Sequence, residues 1–480
     1  MLFNSYFFIL VFLPITFILY FGLNKIKLIQ LSKAWLVLAS LFFYSYWNIK
    51  YLPLILCSML FNYSIGTTLN NPENLKLKIN MKMVLAFGVA CNLILLGYYK
   101  YFDFFIKNIN YLFKADLSLL HIILPLGISF FTFTQIAYLV DAYKKEVKEA
   151  DFLNYALFVT YFPHLIAGPI LHHSEMMPQF SKLKAKIINP KNISIGLMLF
   201  TMGLFKKIVI ADNLSPIVHQ GFDISHSLSF FEAWITSLAY TFQLYFDFSG
   251  YTDMALGLSM IFNIKLPENF NSPYKAVNIQ DFWRRWHMTL SRFLRDYIYI
   301  PLGGNRLREF KTCQNLFITF LLGGIWHGSA WTFVLWGSLH GIALIIHRLW
   351  KKLNIKMHSI IAYAITFNFV NLCWVFFRAK HFSDAIKIYK GMFGLSGLDM
   401  PKIYHGLIRI NSISGIKWED LTTGIIITLI CLLATIFLKE VKNIREYFKP
   451  QLAWGLAASI IFVLAFIQMN NTSEFLYFNF

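Results

Sequence analysis

The chain has 480 residues, of which 57% are hydrophobic and only 14% are charged, and its mean hydropathy is +0.55. Because soluble domains carry about 25% charged residues, this composition excludes one large soluble core and indicates membrane spans. The formal net charge is +19. We attribute it to basic cytoplasmic loops and to attraction to anionic membrane lipid, and expect no nucleic-acid binding.

Apolar runs of about 20 residues, long enough to cross the hydrocarbon core of a bilayer, recur along the chain. They predict about ten to twelve spanning and re-entrant helices, and hence an all-α polytopic membrane protein. We expect residues 1–480 to form a single membrane-embedded domain. In chain order, the predicted spans are Tyr6–Leu23, Ala34–Trp47, Leu52–Leu69, Met83–Tyr99, Leu117–Val140, Phe152–Leu171, Ile193–Ile210, Phe230–Ile261, Leu316–Ile346, Ile360–Phe377, Thr422–Leu438 and Ala453–Ile467.

Three of these runs are predicted to depart from a simple span. Phe230–Ile261 and Leu316–Ile346 are each long enough to break into more than one helix. Phe152–Leu171 contains two prolines and a glycine, which favour a broken segment that dips into the membrane and returns.

Two lysine clusters set the expected topology. They are Lys25, Lys27 and Lys33 after the first span, and Lys76, Lys78 and Lys82 after the third. If the spans alternate, both clusters lie on one side, and the excess of positive charge predicts that this side is cytoplasmic. The N-terminus is then outside.

The longest polar interruption, Pro267–Lys311, carries an amphipathic pattern in its middle. Within Ile279–Ile300, apolar residues recur at steps of three and four, and most of the arginines fall on the opposite face. The pattern predicts one helix that ends before Pro301 and lies in the membrane interface or beneath a cavity. Its arginines fit either lipid phosphates or an anionic donor such as the phosphates of coenzyme A.

His327 is the histidine whose surroundings indicate chemistry most clearly. It stands in Leu321–Trp336 among apolar and small residues, and no Lys, Arg, Asp or Glu lies between Lys311 and Arg348. An ionisable side chain in a span is a functional candidate, and desolvation keeps the imidazole neutral and able to accept a proton. The competing interpretation is a histidine that packs helices and bonds a carbonyl group.

Two further histidines are weaker candidates. On one continuous helix, His340 would lie about 220° around the axis from His327, so we expect it to face elsewhere. His287 lies on the flank of the amphipathic helix, where packing or interfacial anchoring is the competing interpretation. It gains interest only if it approaches the same cavity as His327.

Acidic residues also occur within an apolar run. Asp247 and Asp253 lie in Phe230–Ile261 and need partners, such as a nearby hydroxyl or an arginine of the amphipathic helix. A structural polar network is the favoured interpretation, and Asp247 is kept as a candidate substrate-binding residue.

The sequence offers no clear metal or cofactor site. His172, His173 and Glu175 form a His-His-x-Glu cluster, but adjacent histidines on a short loop rarely reach one ion together. The five cysteines are scattered and have no metal-site or disulfide spacing, and we expect them to pack the core. We therefore predict no bound metal and no bound cofactor.

Several motifs, in order along the chain, resemble the membrane-bound O-acyltransferase family, with the bacterial alginate O-acetyltransferase branch fitting best. The strongest are DFWRRWHMTLSRFLRDYIYIPLGGNR (281–306) and GGIWHGSAWTFVLWGSLHG (323–341). Supporting stretches are Phe162–Met176, Tyr245–Leu258 and the terminal FLYFNF (475–480). With the opening MLFNSYFFI, they cover the chain nearly end to end.

The resemblance implies a bundle of helices around a tunnel, in the inner (cytoplasmic) membrane of a bacterium. It implies transfer of an acetyl group from a cytoplasmic thioester, acetyl-coenzyme A, toward a cell-surface polysaccharide such as alginate or peptidoglycan. A secreted or membrane-anchored SGNH-type acetyltransferase is the implied partner. The family's signature histidine matches His327 and its second histidine matches His287; Arg284 and Arg285 precede His287 and are candidate substrate-binding residues.

Two alternatives remain open on sequence. One is a D-alanyl transferase that acts on teichoic acid from a carrier protein, although that group usually lacks the long part after Arg378. The other is a polytopic transporter or flippase, which the lack of an internal repeat disfavours.

Overall fold

A computed structural model describes residues 1–74, 80–147, 151–398, 402–404, 407–409, 418–437, 451–471 and 475–476. Apart from one small hairpin, the regular structure in these ranges is helical, which confirms the all-α polytopic class. Of the residues used in the predictions, Lys76, Lys78, Leu438 and residues 477–480 of the terminal motif lie outside the described ranges.

The first half of the chain forms helices whose positions follow the predicted spans. In order they are α1 (Leu13–Lys25), α2 (Ile29–Ser45), α3 (Leu52–Asn70), α4 (Met81–Phe113), α5 (Ile128–Tyr143), α6 (Phe152–Thr160), α7 (Phe162–Leu165), α8 (His173–Ser181), α9 (Pro190–Phe205) and α10 (Asp212–His219).

The second half contains the long helices that carry the histidines. They are α11 (Phe230–Ile261), α12 (Ile279–Trp283), α13 (Met288–Leu294), α14 (Glu309–His327), α15 (Trp331–Lys352), α16 (Ser359–Arg378), α17 (Phe382–Met392), α18 (Trp418–Phe437) and α19 (Leu452–Ile467). Strands β1 (Lys402–Tyr404) and β2 (Leu407–Arg409) pair antiparallel. Short π-helical stretches extend several helices: Phe8–Phe12, Lys206–Ala211, Gln220–Ile224 and Arg295–Tyr299.

Six helical segments of the described chain are long and apolar enough to cross a membrane, so the protein is multi-pass. They are Phe8–Lys25, Ile49–Asn70, Met81–Phe113, Pro190–Ile224, Trp331–Lys352 and Ser359–Arg378. Three shorter apolar helices, Ile29–Ser45, Ile425–Phe437 and Leu452–Ile467, add to them.

The predicted breaks are partly confirmed. Leu316–Ile346 does divide, because α14 ends at His327 and α15 begins at Trp331. Phe152–Leu171 is broken as well, into α6 and the short α7. In contrast, Phe230–Ile261 is one uninterrupted helix, so the break considered there was wrong.

Two smaller expectations were also wrong. Lys33, assigned to a basic loop, lies buried in α2, where its Nζ donates to the Oδ1 of Asn154 at 2.6 Å. All five cysteines are free, but Cys57 is exposed while Cys373 and Cys431 are buried, so only some of them pack the core.

The chain divides into two compact units. One comprises Met1–Gly203, Tyr251–Glu268 and Pro450–Ile461, and the other comprises Leu204–Gly250, Asn269–Lys449 and Phe462–Phe480. The two strongest histidine candidates and the candidate arginines all lie in the second unit. The single domain predicted for residues 1–480 stays a prediction.

Within the second unit, α14 and α15 form a hairpin whose glycines let the two backbones touch. A Cβ atom added to Gly324 would lie 2.5 Å from the carbonyl oxygen of Phe333, and one added to Gly337 would lie 2.5 Å from that of Phe320. Small residues at such positions permit the close contact by which membrane helices associate. These glycines therefore serve helix packing, which fixes His327 at the end of α14.

Candidate active site

His327 ends α14 inside a cage of aromatic rings. The residue is only 3% exposed. Its ring centroid lies 4.8 Å from that of Trp326 and 5.1 Å from those of both Trp336 and Phe377. The next residue is Gly328, where a side chain would overlap the ring of Phe333. The sequence therefore places a histidine, and then a glycine, where the chain turns tightly between two packed helices.

His287 occupies a break between α12 and α13, and not the flank of a continuous helix. Its φ angle is +43°, a left-handed conformation that is uncommon for a residue with a side chain. The predicted single helix over Ile279–Ile300 was therefore wrong: α12 ends at Trp283, α13 begins at Met288, and a π-helical turn follows. Such strained positions cluster at active sites.

Burial and a hydrogen bond to Asn269 hold the His287 ring in place. It is fully buried, its Nδ1 lies 3.2 Å from the Oδ1 of Asn269, and its centroid lies 4.8 Å from that of Phe248. Burial lowers the pKa of His287 to about 3, so the imidazole is neutral near pH 7.

The two imidazoles are neighbours in the buried aromatic cluster, and we call the region around these two rings the chamber. Their ring centroids are 6.5 Å apart, and Trp326 contacts both rings. Neither ring is part of the lining of the basic cavity described below, so a cavity shared by His287 and His327 stays a prediction. A neutral imidazole offers one nitrogen lone pair that can accept the proton of a hydroxyl group. The catalytic roles of the two imidazoles stay a prediction.

A basic cavity of about 750 Å³ lies in the same unit. Among the described residues, no carboxylate is part of its lining. We define the cavity by six basic side chains, which come from α13, α15 and the neighbouring turns. They are Arg284, Arg292, Arg295, Arg348, Lys351 and Lys352. A site of this charge attracts phosphate groups.

Carboxylates outside the lining offset part of this charge. Glu309 bridges Arg348 at 2.6 Å and Lys352 at 2.8 Å, and these two cations lower the pKa of Glu309 to about 2. Asp296 pairs with Arg295 at 2.7 Å. Arg284 and Lys351 have no carboxylate partner in the described part of the chain, so their charges are not offset in this way.

The side chains of Trp283 and Trp336, which we call the Trp283–Trp336 partition, lie between this cavity and His327. Trp283 lines the cavity, and its ring lies 5.8 Å from that of Trp336, which in turn contacts His327. The indole N–H of Trp283 donates to the Nδ1 of His340 at 3.2 Å. His340 therefore does not face elsewhere: because the helix breaks after His327, its ring packs on Trp336 at 4.8 Å, in the same cluster as His327.

The other candidate residues lie apart from the cavity lining. The guanidinium of Arg285 donates to Asp281 at 2.9 Å and is not part of that lining. Asp247 is buried and pairs with Lys207 at 2.7 Å, and it accepts the backbone N–H of Leu476 at 3.1 Å. The substrate-binding roles of Arg285 and Asp247 stay predictions.

Sequence reasoning missed Lys207 and Asn269. Lys207 lies at the end of an apolar run, where a basic residue looks like a boundary, yet it is buried and bonds two aspartates, Asp247 and Asp212. The uncompensated Asp247 was the signal that could have identified it. Nothing in a single sequence distinguishes Asn269 from other loop asparagines.

The His-His-x-Glu cluster belongs to the first unit. His173 is buried there and packs on Tyr138 and Phe158, with ring centroids 5.4 and 5.3 Å away. Within the described ranges, no group of three His, Cys, Asp or Glu side chains is arranged to hold a metal ion.

Comparison with known proteins identifies the family. A profile of MBOAT, the membrane-bound O-acyltransferase family, matches residues 35–382. A peptidoglycan O-acetyltransferase of Helicobacter pylori is 48% identical over an alignment of 522 residues, covering 100% of this chain and 98% of that protein.

More distant relatives are similar over less of the chain. A probable alginate O-acetylase AlgI of Pseudomonas putida is 38% identical, covering 84% of this chain and 82% of that protein. A teichoic acid D-alanyltransferase of Bacillus subtilis is 30% identical and covers 54% of this chain and 69% of that protein. The chain therefore belongs to the membrane-bound O-acyltransferase family and is an acyltransferase enzyme.

Proposed function

We propose that the protein transfers the acetyl group of acetyl-coenzyme A, a cytoplasmic thioester, for O-acetylation of peptidoglycan on the outside of the bacterial inner membrane. The single observation that carries the proposal is the pair of buried imidazoles beside a cavity whose lining is basic. Similarity over the full length to a peptidoglycan O-acetyltransferase supports the polymer, and similarity to the alginate enzymes makes alginate the second candidate.

In this mechanism the basic cavity binds the phosphates of the donor. Arg284, like Lys351, has no carboxylate partner among the described residues, and arginine binds phosphate oxygens with two parallel hydrogen bonds. The uncharged pantetheine arm, which carries the thioester, then reaches toward the chamber past the Trp283–Trp336 partition.

The chemical step takes place at the imidazoles. His327 acts as general base and removes the proton of the acceptor hydroxyl as its oxygen attacks the thioester carbonyl. The carbon–sulfur bond breaks when the tetrahedral intermediate collapses, and the departing thiolate takes the proton from the imidazolium. The products are an acetyl ester and a free thiol, so protons and electron pairs balance. His287 shapes the same chamber.

The acceptor hydroxyl belongs either to the glycan or to a protein that passes the acetyl group on. A secreted or membrane-anchored SGNH-type acetyltransferase is the partner we propose for such a relay.

The D-alanyl transferase alternative is disfavoured because that relative covers only 54% of the chain. A transporter is disfavoured by the acyltransferase family itself.

The test is donor-dependent turnover. Purified protein in liposomes is mixed with acetyl-coenzyme A carrying a labelled acetyl group, in the presence of peptidoglycan fragments or the periplasmic partner. We expect release of free thiol and label in an ester that mild base removes. Turnover with a D-alanyl carrier protein in place of acetyl-coenzyme A would overturn the proposal, as would an absence of turnover with either donor.

Muropeptide analysis tests the acceptor in cells. Deleting the gene should remove O-acetyl groups from muropeptides, and mass spectrometry measures this loss directly. Unchanged muropeptides together with the loss of acetyl groups from another exported glycan would assign the enzyme to that glycan.

A further inference from the structure

The side chain of Asn269 brings three groups together at one atom. Its Oδ1 lies 3.2 Å from the backbone nitrogen of Thr289, 2.8 Å from the Oγ1 of Thr289 and 3.2 Å from the Nδ1 of His287. Asn269 is only 1% exposed, so these contacts form away from bulk water.

The backbone contact identifies the atom of Asn269 and therefore the proton on His287. A backbone N–H can only donate, so the amide atom that faces Thr289 must be the oxygen. An amide oxygen can only accept, so the Nδ1 of His287 must carry a hydrogen and donate it. Because burial keeps the ring neutral, Nδ1–H leaves the lone pair on Nε2.

The same residue also holds the strained backbone. The carbonyl oxygen of Asn269 accepts the N–H of Met288 at 2.9 Å, and the N–H of Asn271 donates to the carbonyl of Arg285 at 2.9 Å. The segment that begins at Asn269 thus runs beside the turn on both sides of His287. It supports the left-handed conformation as well as the ring.

We propose that Asn269 is a positioning residue that fixes the Nδ1–H tautomer of His287, so that this imidazole acts in the chamber as an acceptor through Nε2. The assignment limits what His287 can do: a neutral ring in this tautomer has no second N–H with which to stabilise an oxyanion. His287 therefore orients an O–H or N–H group. The role in catalysis rests on the proposed function, whereas the tautomer stands on geometry alone.

Nitrogen NMR measures the tautomer without any substrate. The full chain, labelled with ¹⁵N-histidine and held in lipid, gives different shifts for protonated and unprotonated ring nitrogens. The His287→Asn variant identifies the His287 signals by their loss, since asparagine tolerates the left-handed backbone. A protonated Nδ1 with an unprotonated Nε2 supports the proposal, and a protonated Nε2 overturns it.

Variants of Asn269 test the positioning role. In Asn269→Ala we expect the Nδ1–H signal to weaken and kcat to fall about 10- to 100-fold, with the KM for acetyl-coenzyme A within about twofold. Thr289→Val removes a hydroxyl from the same oxygen but leaves His287 its acceptor, so its NMR signals and kcat should stay near those of the wild type. An Asn269→Ala enzyme with wild-type kcat would overturn the role.

The Asn269→Asp variant keeps an oxygen acceptor and the shape of the side chain. It provides a second test if the alanine variant does not fold. A carboxylate beside His287 stabilises the imidazolium, so the acidic limb of the kcat–pH profile should move to higher pH. Among the described ring neighbours of His287, His327 on α14 is titratable, whereas Phe248 on α11 and Trp326 on α14 are neutral. An unshifted limb in an active Asn269→Asp enzyme would argue for a purely structural residue.

These readouts separate the two proposals. If wild-type protein shows no turnover with acetyl-coenzyme A, the proposed function fails, but the NMR result still decides the tautomer. If turnover occurs and the tautomer is the opposite one, only the inference about Asn269 fails.

Discussion

At the scale of single residues, the two histidines differ in how the chain holds them. His327 is held by aromatic rings on several sides, and His287 by a hydrogen bond and a strained backbone angle. In the proposed tautomer, the hydrogen bond to Asn269 fixes both the orientation of the His287 ring and the position of its proton.

Replacing His327 with Ala should abolish acetyl transfer while insertion and folding persist, because the base is lost but the neighbouring rings remain. The measurement is thiol release from acetyl-coenzyme A, with thermal unfolding as the check on folding. His358→Ala, at an exposed histidine before α16, is the matched control and should be as active as the wild type. Normal transfer by the His327→Ala enzyme would rule out the base role.

Acid should destabilise the protein in part through His287. The folded-state pKa of His287 is about 3, below the ordinary value of 6.5, so between these values the unfolded chain binds a proton that the folded chain does not. Stability from this residue is complete above pH 6.5 and is lost as the pH falls toward 3. The unfolding temperature of the wild type should therefore fall more steeply from pH 6.5 to 4 than that of His287→Asn. Parallel curves for the two proteins would contradict this.

At the scale of elements, the α14–α15 hairpin depends on glycine. Each backbone closely approaches the other at Gly324 and Gly337, and no side chain fits between them. The hairpin carries His327 at the end of one helix, and Trp336 and His340 on the other. Its packing therefore sets the geometry of the chamber.

Gly324→Ala should destabilise the hairpin by about 1–3 kcal/mol, because the new methyl group would meet backbone atoms that cannot move aside. The change in unfolding free energy, measured by denaturant titration, gives the magnitude. Gly22→Ala in α1 is the control: nothing lies within 4 Å of its added Cβ, and alanine favours a helix. Equal stabilities for the two variants would contradict the packing role.

Many of the helix positions could be predicted from the sequence, and the wrong predictions of helix bounds and breaks have physical causes. Hydropathy located the spans, and the length of Leu316–Ile346 indicated that this run could divide, although it did not locate the break after His327. The pattern over Ile279–Ile300 kept helical periodicity across His287, because a single left-handed residue changes the direction of the chain without disturbing the sequence pattern. The span over Leu117–Val140 is helical only from Ile128.

The partners of buried charges escaped prediction for a different reason. Asp247 meets Lys207 and the N–H of Leu476, which are 40 and 229 residues away along the chain. Contacts at such separations depend on tertiary packing, which periodicity does not report. The same applies to Asn269 and to the cavity, whose lining comes from several segments.

At the scale of the whole molecule, the net charge is +19, and six of the basic side chains line one cavity. Lipid attraction and topology explain basic residues in loops. They do not account for six basic side chains around one cavity, where the carboxylates of Glu309 and Asp296 offset only part of the mutual repulsion. Donor binding should accordingly weaken as salt screens these charges.

Arg284→Glu should raise the KM for acetyl-coenzyme A about tenfold or more and leave kcat nearly unchanged, because the phosphates lie far from the bond that breaks. Steady-state kinetics at two salt concentrations measure this. Arg306→Glu makes the same charge change outside the cavity lining and should behave as the wild type. The acetyl thioester of N-acetylcysteamine, which has no phosphate, should show the same KM with both variants. A raised KM for that neutral donor would indicate a general defect.

The three-residue link between α14 and α15 has a consequence for how this sequence can change. Gly328, Ser329 and Ala330 set the angle at which the second helix leaves the first. One inserted or deleted residue at the start of α15 would rotate everything after it by about 100°. Trp336 and His340 would then turn out of the aromatic cluster together. Natural length variation should therefore accumulate in the outer loops and be absent from this link, whatever residues occupy it.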